Sequence, residues 1–421
     1  MRGSHSRHCE ARRAVAILKI EMKKIIYILT TLLTLAACSD LRDANPYADD
    51  LHTLTVATQW PVADFDRSGA DVRVEDVNTG SRYVSQTDSQ GLAEFLLPNG
   101  LYRITLSGAA GKNVFNASAD KVVLSGKDFA INLDVVVSKA GSLVIKEIYC
   151  GGCKKLPEEG DYQADQYIIL HNNDYQVQYL DGLCFGTLSP YNSAGSNPWI
   201  SEGGLPDFLP IIQAVWQFPG DGDDFPLQPG EDAVMCLRGA IDHAAQYPLS
   251  VNLNRPDYFV CYNATYFTNT MFHPAPGNLI SQDRYLDVVI KTGQANAYTL
   301  SNSSPAVVIF RAEGITIQEH VLVPENVIQV PGSMVDRVVK VPFEWVLDAV
   351  EVFDGRSSAN QKRLVPSLDA GYITQSDVFL GHSLIRSVDQ QASADAGYEI
   401  LADTNNSLND FYESEKQSLH E

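Results

Sequence analysis

Short strand-like segments separated by turn residues constrain this chain more than any other feature. Between residues 52 and 138, apolar side chains recur at every second position, as in residues 71–77, and turns such as Asn78, Thr79 and Gly80 follow at short spacing. Alternation of period two is typical of strands with one buried face, and Asn/Gly turns join such strands into hairpins. This segment lacks a sustained helical period. We therefore predict a small antiparallel β-sandwich of about seven strands over residues 52–138.

Two motifs in this segment resemble those of a known domain family. Residues 87–95 read Thr-Asp-x-x-Gly-x-Ala-x-Phe, and residues 97–104 read Leu-Pro-x-Gly-x-Tyr-x-Ile. This succession is similar to the carboxypeptidase regulatory-like (prealbumin-like) domain. The resemblance implies a spacer or adhesion unit without catalysis.

From residue 141 onward the strand-like segments differ in pattern. Residues 143–149 and 165–173 are followed by Asp181 and Gly182, and the later segments 346–352, 383–386 and 403–411 carry Asp348, Arg386 and Asp410. The pattern resembles lamin-tail domains, although Ile169 stands where that family usually has an acid. The resemblance implies an immunoglobulin-like β-sandwich over residues 141–411, enlarged by insertions. We expect an all-β chain that ends in an acidic tail, residues 412–421.

The N-terminal region predicts a lipid anchor. Lys23 and Lys24 precede an apolar run at residues 25–35, which is too short to span a bilayer but has the form of a secretory signal. Leu-Ala-Ala before Cys38 matches a lipobox, so we predict a signal peptide at 22–37, lipid attachment at Cys38 and a flexible tether at 38–51. Residues 1–21 do not fit a signal peptide, and we interpret them as a misassigned start or an expression remnant.

The order of these parts resembles a Bacteroidota outer-membrane lipoprotein family known only as domain of unknown function 4876. Residues 240–243 (Ala-Ile-Asp-His) and 403–407 (Asp-Thr-Asn-Asn-Ser) carry the most specific part of the resemblance. The family implies a lipid-anchored place at the outer membrane, on its periplasmic or its surface side. It also implies a role beside a TonB-dependent receptor.

The excess of acidic over basic residues restricts the kinds of partner that we expect for this chain. The chain has 31 basic and 52 acidic residues, for a formal charge of −21. Such a surface repels phosphate backbones, which argues against nucleic-acid partners. It favours neutral glycans, cations or a basic protein surface.

The cysteines indicate little redox chemistry. Cys150-Gly-Gly-Cys153 has redox or metal spacing, but Pro157 and Gly160 disfavour a helix after it and the chain has no second such pair. We interpret this pair as a local disulfide or two free thiols. Cys184, Cys236 and Cys261 lie in apolar runs and are expected in buried strands.

Recognised catalytic and cofactor motifs are missing from the sequence, so we predict no catalytic residues, cofactor or metal. The histidines are scattered without ligand spacing; they include His171, His243, His273, His320 and His382. Two oxygen-rich segments, 221–224 and 403–410, leave open a choice between Ca²⁺ loops and ordinary turns.

These observations favour a non-enzymatic binding protein whose ligand is unknown. Trp216, Phe218 and Tyr262 are its candidate anchors by composition, although core packing is the ordinary role of such residues. A surface adhesion or glycan-binding module and a hydrolase with dispersed carboxylates remain as alternatives.

Overall fold

A computed structural model describes residues 51–61, 66–110, 113–202 and 204–420. Nearly all of the regular structure in these residues is β, arranged in two sandwiches, so the predicted all-β class is confirmed. Within this part of the chain, no helix is long and apolar enough to cross a membrane. Cys38 and the predicted signal peptide lie outside the described residues.

The first sandwich packs a three-stranded sheet (β4-β1-β7) on a five-stranded sheet (β3-β2-β5-β6-β8). Its core includes Val56, Val74 and Ile104, and strands β1 and β2 alternate buried and more accessible positions as the sequence predicts. One pair differs from the expected antiparallel order, because β7 enters from the opposite sheet and runs parallel to β1. The strands are β1 (Leu51–Gln59), β2 (Asp71–Asp76), β3 (Arg82–Gln86), β4 (Leu92–Pro98), β5 (Gly100–Ala110), β6 (Asn113–Leu124), β7 (Phe129–Asp134) and β8 (Val136–Lys139).

The second sandwich packs a six-stranded sheet (β18-β17-β12-β9-β25-β26) on a larger sheet (β21-β22-β15-β14-β20-β23-β24, with β19 beside β15). Two short pairs, β10-β11 and β13-β16, lie at its ends. The strands are β9 (Leu143–Tyr149), β10 (Cys153–Lys154), β11 (Asp161–Tyr162), β12 (Tyr167–Asn172), β13 (Gln178–Tyr179), β14 (Cys184–Leu188), β15 (Leu209–Gln217), β16 (Pro226–Leu227), β17 (Asp232–Cys236), β18 (Phe259–Val260), β19 (Asp287–Lys291), β20 (Ala306–Phe310), β21 (Val327–Gln329), β22 (Arg337–Val341), β23 (Val346–Asp354), β24 (Ile373–Gln375), β25 (Ser383–Arg386) and β26 (Phe411–Ser414). Three short α-helices, α1 (Ile317–Leu322), α2 (Gln390–Ala396) and α3 (Ser407–Asp410), and three 3₁₀ turns at Gln282–Arg284, Pro324–Asn326 and Phe343–Trp345 lie between them.

Inserted segments cover both outer faces of the second sandwich. Val251 and Leu253 pack on the outer face of the six-stranded sheet, and Ile317 of α1 and Trp345 pack on that of the larger sheet. A strand covered on both faces reads as a continuous apolar run rather than an alternating one. This explains why β12 and β20 are buried at every position.

The segment at 403–407 joins the two sandwiches. Asn116 of β6 donates to the Thr404 carbonyl at 2.7 Å, Asn405 donates to Ser138 Oγ at 2.7 Å, and Asn406 donates to Ser107 Oγ. These side chains come from loops of the second sandwich and strands of the first. One of the two most specific motifs in the sequence therefore builds the junction between the two sandwiches.

The residues that we assigned to an acidic tail pack against the second sandwich over their described part. Strand β26 pairs with β25, and Ser418 donates from its backbone N–H to Glu147 Oε1 at 3.1 Å. Gln417 is buried and donates to the Leu249 carbonyl at 3.2 Å. This segment is therefore part of the domain, because it supplies partners to a buried carboxylate.

Candidate functional site

One end of the second sandwich collects loops that are distant in sequence. Strands β14, β17 and β19 leave the sandwich at this end, and β12 and β20 enter it. Gln166, just before β12, fixes the arrangement: its Nε2 donates to the Cys150 carbonyl at 2.7 Å, and its Oε1 accepts from Leu300 N at 3.1 Å. Loops held on a rigid β framework are a common location for binding sites.

Arg238 follows β17 at this end and is only 2% exposed. Its Nη1 donates to the Gln163 carbonyl at 2.8 Å, its Nε lies 3.5 Å from the Phe272 carbonyl, and the guanidinium lies 5.2 Å from the centre of the Phe272 ring. These contacts hold the guanidinium plane. Its second terminal nitrogen, Nη2, has no hydrogen-bond partner among the described residues.

Arg238 differs from the other deeply buried arginines in having no carboxylate partner in the described structure. Arg363 Nη2 lies 2.6 Å from Glu351, and Arg386 Nη2 lies 2.5 Å from Asp348. Burial lowers the pKa of Arg238, opposed by the more distant Tyr191, Asp165 and Tyr162. A buried charge without a close counter-charge is costly, so an anion that reached this guanidinium would be bound favourably.

A cavity of about 300 Å³ lies against Arg238. Arg238 is the sole charged residue among its described lining residues, and the others bear amides, hydroxyls, aromatic rings and aliphatic groups. The volume is at the lower end of those seen for small-molecule sites. The lining residues that bear polar or aromatic groups are Gln163, Tyr191, Phe272, Asn296, Thr299 and Asn302.

A second polar cluster surrounds Asp165, which acts on Arg238 electrostatically. Asp165 Oδ2 accepts from Ser250 Oγ at 2.5 Å and from Tyr149 OH at 3.1 Å, and Cys153 Sγ lies 3.7 Å away. Its Oδ1 is buried without a partner in the described part of the chain. Burial raises the pKa of Asp165, which favours its neutral form and weakens its compensation of Arg238.

His243, in the 240–243 motif, is held on both ring nitrogens. Its Nδ1 lies 2.6 Å from Tyr162 OH, and its Nε2 lies 2.9 Å from the Gly239 carbonyl. Because a carbonyl can only accept, Nε2 carries the proton and Nδ1 accepts from the tyrosine. Burial lowers the pKa of His243, so the ring is neutral at pH 7. Its bond to Gly239, the residue after Arg238, makes it a structural support for the loop that carries that arginine.

The four other histidines named from the sequence also have hydrogen-bonding partners within the fold. His171 Nδ1 lies 2.6 Å from Asp232, His320 Nε2 lies 2.7 Å from the Lys340 carbonyl, and His382 Nδ1 lies 3.1 Å from Glu413. His273 Nε2 accepts from Asn263 N at 3.2 Å. Each of these side chains therefore has a structural role in its own part of the second sandwich.

The structure corrects two of the three predicted binding residues. Trp216 of β15 and Phe218 are buried in the central core, where Trp216 stacks on Phe267 at 5.5 Å between ring centres. Trp216 lies on β15, which is covered on both faces, and Phe218 directly follows that strand, so neither side chain is on a surface. Tyr262 is half-buried and stacks on His273 at 5.1 Å, and it does not line the Arg238 cavity.

Cys150 and Cys153 are free thiols, so the local disulfide is wrong and the alternative of two free thiols holds. Their side chains have separate partners: Cys150 Sγ donates to Gln375 Oε1 at 2.9 Å, while Cys153 faces Asp165. Burial raises the pKa of Cys153 to about 12, so its thiol stays protonated at neutral pH. Cys184, Cys236 and Cys261 are buried, as expected.

The two oxygen-rich segments serve different structural purposes. In the first, Asp181 accepts from the backbone N–H groups of Gly222, Asp224 and Phe225 at 2.9–3.1 Å. In the second, Asp403 and Asp410 face the Arg386 guanidinium at 3.1 and 3.6 Å. Within the described residues, no group of three or more His, Cys, Asp or Glu side chains is arranged to hold a metal ion.

Sequence reasoning missed the residues that line the cavity. One feature of the sequence could have pointed to Arg238. It directly follows an apolar strand segment, and a charged residue is rarely buried without a partner. Gln163, Tyr191 and Asn302 had no comparable signal. Only the packing of five strand ends brings them together.

Comparison with solved structures finds a crystal structure described as a DUF4876 family protein from Bacteroides thetaiotaomicron VPI-5482. It is 26% identical, with coverage of 86% of this chain and 94% of that chain and a TM-score of 0.54. The shaft pilin SpaA from Lactobacillus rhamnosus GG is 9% identical, with coverage of 70% of this chain and 98% of that chain. Its TM-score of 0.16 is too low to indicate a shared fold. No curated protein matches the chain.

The family model described as a protein of unknown function (DUF4876) matches residues 228–418. These residues include Arg238, the 240–243 motif and the junction at 403–407. Over this part of its length, the chain is similar to the DUF4876 family, as the two motifs predicted.

Proposed function

We propose that this chain is a lipid-anchored cell-envelope protein that binds a ligand without turning it over. The ligand occupies the Arg238 pocket. The observation that carries this proposal is a buried guanidinium without a carboxylate partner among the described residues, facing a cavity of about 300 Å³. Proteins keep such electrostatically costly groups at functional sites more readily than in ordinary cores.

The envelope location rests on the sequence. The lipobox at Cys38 supports outer-membrane anchoring, and the family resemblance supports a role beside a TonB-dependent receptor. The lamin-tail-like character of the second sandwich belongs to the same proposal. Incorporation of labelled palmitate into the full chain, lost in Cys38→Ala, tests the anchor; equal labelling of both forms contradicts it.

A glycan-binding module is the second candidate. Phe272 is 38% exposed and lines the pocket together with the amide of Asn302. An exposed ring beside amide groups can stack on a sugar and hydrogen-bond its hydroxyls. This alternative uses the same pocket with a neutral ligand.

A variant that fills the pocket tests the proposed function. The full chain, extracted in mild detergent, is screened by saturation-transfer NMR against a panel of amino acids, small peptides, neutral sugars and sugar acids. Ala295 is exposed and lines the cavity, whereas its exposed neighbour Gln294 does not. We expect at least one compound to bind the natural chain, to bind Gln294→Trp equally, and to lose binding in Ala295→Trp. Binding that Ala295→Trp leaves unchanged would exclude this pocket.

A further inference from the structure

We propose that the Arg238 pocket recognises a small ligand through a single carboxylate group, which pairs with the free Nη2 of the Arg238 guanidinium. This inference rests on the proposed function and names the class of ligand. It follows from the hydrogen bonds of Arg238, the charges near it and the lining of the cavity.

The hydrogen bonds leave one nitrogen of the guanidinium, Nη2, available. Nε and Nη1 contact the carbonyls of Phe272 and Gln163, which fixes the plane of the group without neutralising it. Nη2 has no partner within the described residues and belongs to a residue that lines the cavity. A fixed guanidinium with an unused nitrogen is suited to a carboxylate, because hydrogen bonds between these two groups are charge-assisted.

The number of charges favours a monoanion. Among the described lining residues, Arg238 supplies the single positive charge, and Asp165 is the carboxyl group that acts on it. The chain as a whole carries −21. A phosphate dianion would leave excess negative charge in this setting, whereas one carboxylate balances one guanidinium.

The rest of the lining indicates a short polar ligand. The side chains of Gln163 and Asn302 lie together, 3.4 Å apart, and Tyr191 OH lies 2.8 Å from Thr299 Oγ1. These groups can donate to or accept from a hydroxyl or amide of the ligand, while Phe272 contacts its apolar part. An amino-acid derivative and a sugar acid share this chemistry.

Matched pairs of probes test the charge requirement by isothermal titration on the full chain in detergent. N-acetylglycine is compared with N-acetylglycinamide, and glucuronate with glucose, so that each pair differs mainly in the carboxylate. We expect the carboxylate of at least one pair to bind at least tenfold more tightly than its neutral partner. The pair that responds identifies an amino-acid or a sugar-acid source.

Variants assign that difference to Arg238. We expect Arg238→Met to abolish the preference for the carboxylate and Arg238→Lys to weaken binding about tenfold, because lysine lacks the planar fork. Arg284→Met is the matched control, since Arg284 packs on Phe259 at 4.8 Å beside a different cavity. Should Arg238→Met fail to fold, Arg238→Lys still tests the guanidinium, while Ala295→Trp tests only whether the probe binds in this cavity.

Three results would overturn this inference. They are equal binding of neutral and charged probes, tighter binding of inorganic phosphate than of every carboxylate, and no binding of any probe in the two pairs. A neutral compound bound in the pocket would leave the proposed function standing, since the broader panel and Ala295→Trp test it separately.

Discussion

At the scale of single residues, the three buried arginines of the described structure differ in whether a carboxylate pairs with them. Arg363 and Arg386 are 2% and 3% exposed and are paired with carboxylates, while Arg238 is 2% exposed and has no such pair in the described structure. Removing one member of a buried ion pair leaves an uncompensated charge, whereas removing an unpaired charge relieves a desolvation cost. The same substitution should therefore have different consequences at these positions.

We predict that Arg238→Met changes the free energy of unfolding by no more than about 1 kcal/mol, because relief of desolvation offsets two lost hydrogen bonds. Arg363→Met should destabilise the chain by about 3–5 kcal/mol, since Glu351 loses its closest buried counter-charge and keeps only Lys362 at 4.0 Å. Urea unfolding monitored by circular dichroism measures both. A loss at Arg238 as large as that at Arg363 would mean that Arg238 serves the fold alone.

At the scale of elements, Arg386 joins strands to a loop through three carboxylates. Asp348 lies on β23, Arg386 on β25, Asp403 before α3, and Asp410 at the end of α3. Three acids around one guanidinium carry excess negative charge, so one of them favours its protonated form. Burial raises the pKa of both Asp348 and Asp410 to about 7, against the attraction of Arg386. Of these two acids, we expect Asp410 to be the protonated one, since its contact with Arg386, at 3.6 Å, is the longest of the three.

A raised carboxyl pKa stabilises the fold at acid pH, and this contribution is lost as the pH rises through the folded-state value. The ordinary pKa of Asp410 is 3.8, so its contribution should fall between about pH 4 and 7. Asp410→Asn keeps an acceptor for Thr404 N and can donate to Thr404 Oγ1, as the protonated acid would. We predict that this variant gains on the order of 2 kcal/mol relative to the natural chain as the pH rises from 5 to 8.

Unfolding curves of both proteins across this range provide the measurement. His273 acts in the opposite direction, because burial lowers its pKa to about 4, but it is present in both proteins and cancels in the difference. A difference in unfolding free energy that stays constant with pH would show that Asp410 is ionised throughout.

At the scale of the whole molecule, the two sandwiches form one unit through polar contacts. Besides the 403–407 segment, Tyr372 donates to Glu75 and stacks on Phe353 at 4.1 Å, beneath the Arg103 guanidinium at 4.7 Å. Gly141, in the connection between the sandwiches, donates to Asp403 at 2.5 Å. The first sandwich is thereby fixed relative to the second.

We predict that Asn406→Ala weakens this junction. Asn406 caps α3 by accepting from Leu408 N at 3.2 Å, and it also donates to Ser107 Oγ in the first sandwich. Asp389→Ala removes a comparable cap at α2, where Asp389 accepts from Ala392 N at 2.9 Å and is exposed. Each change should cost about 1 kcal/mol as a lost cap. Asn406→Ala should cost more, because it also leaves buried partners unpaired.

Hydrogen exchange distinguishes the two variants. We expect faster exchange in β5 and β6 for Asn406→Ala only, because these strands carry Ser107 and Asn116. Equal exchange in the two variants would show that Asn406 acts only as a cap.

The sequence alone determined the strand class, the order of the sandwiches and the prediction of an anchor, because these depend on local alternation, turn residues and a contiguous motif. Alternation identified β2, which is buried on one face. It could not place Trp216, since insertions far along the chain bury the second face of β15. Tertiary structure alone decided the site. The unpaired state of Arg238 depends on which carboxylates approach it, and its cavity forms only where separate strand ends meet in space.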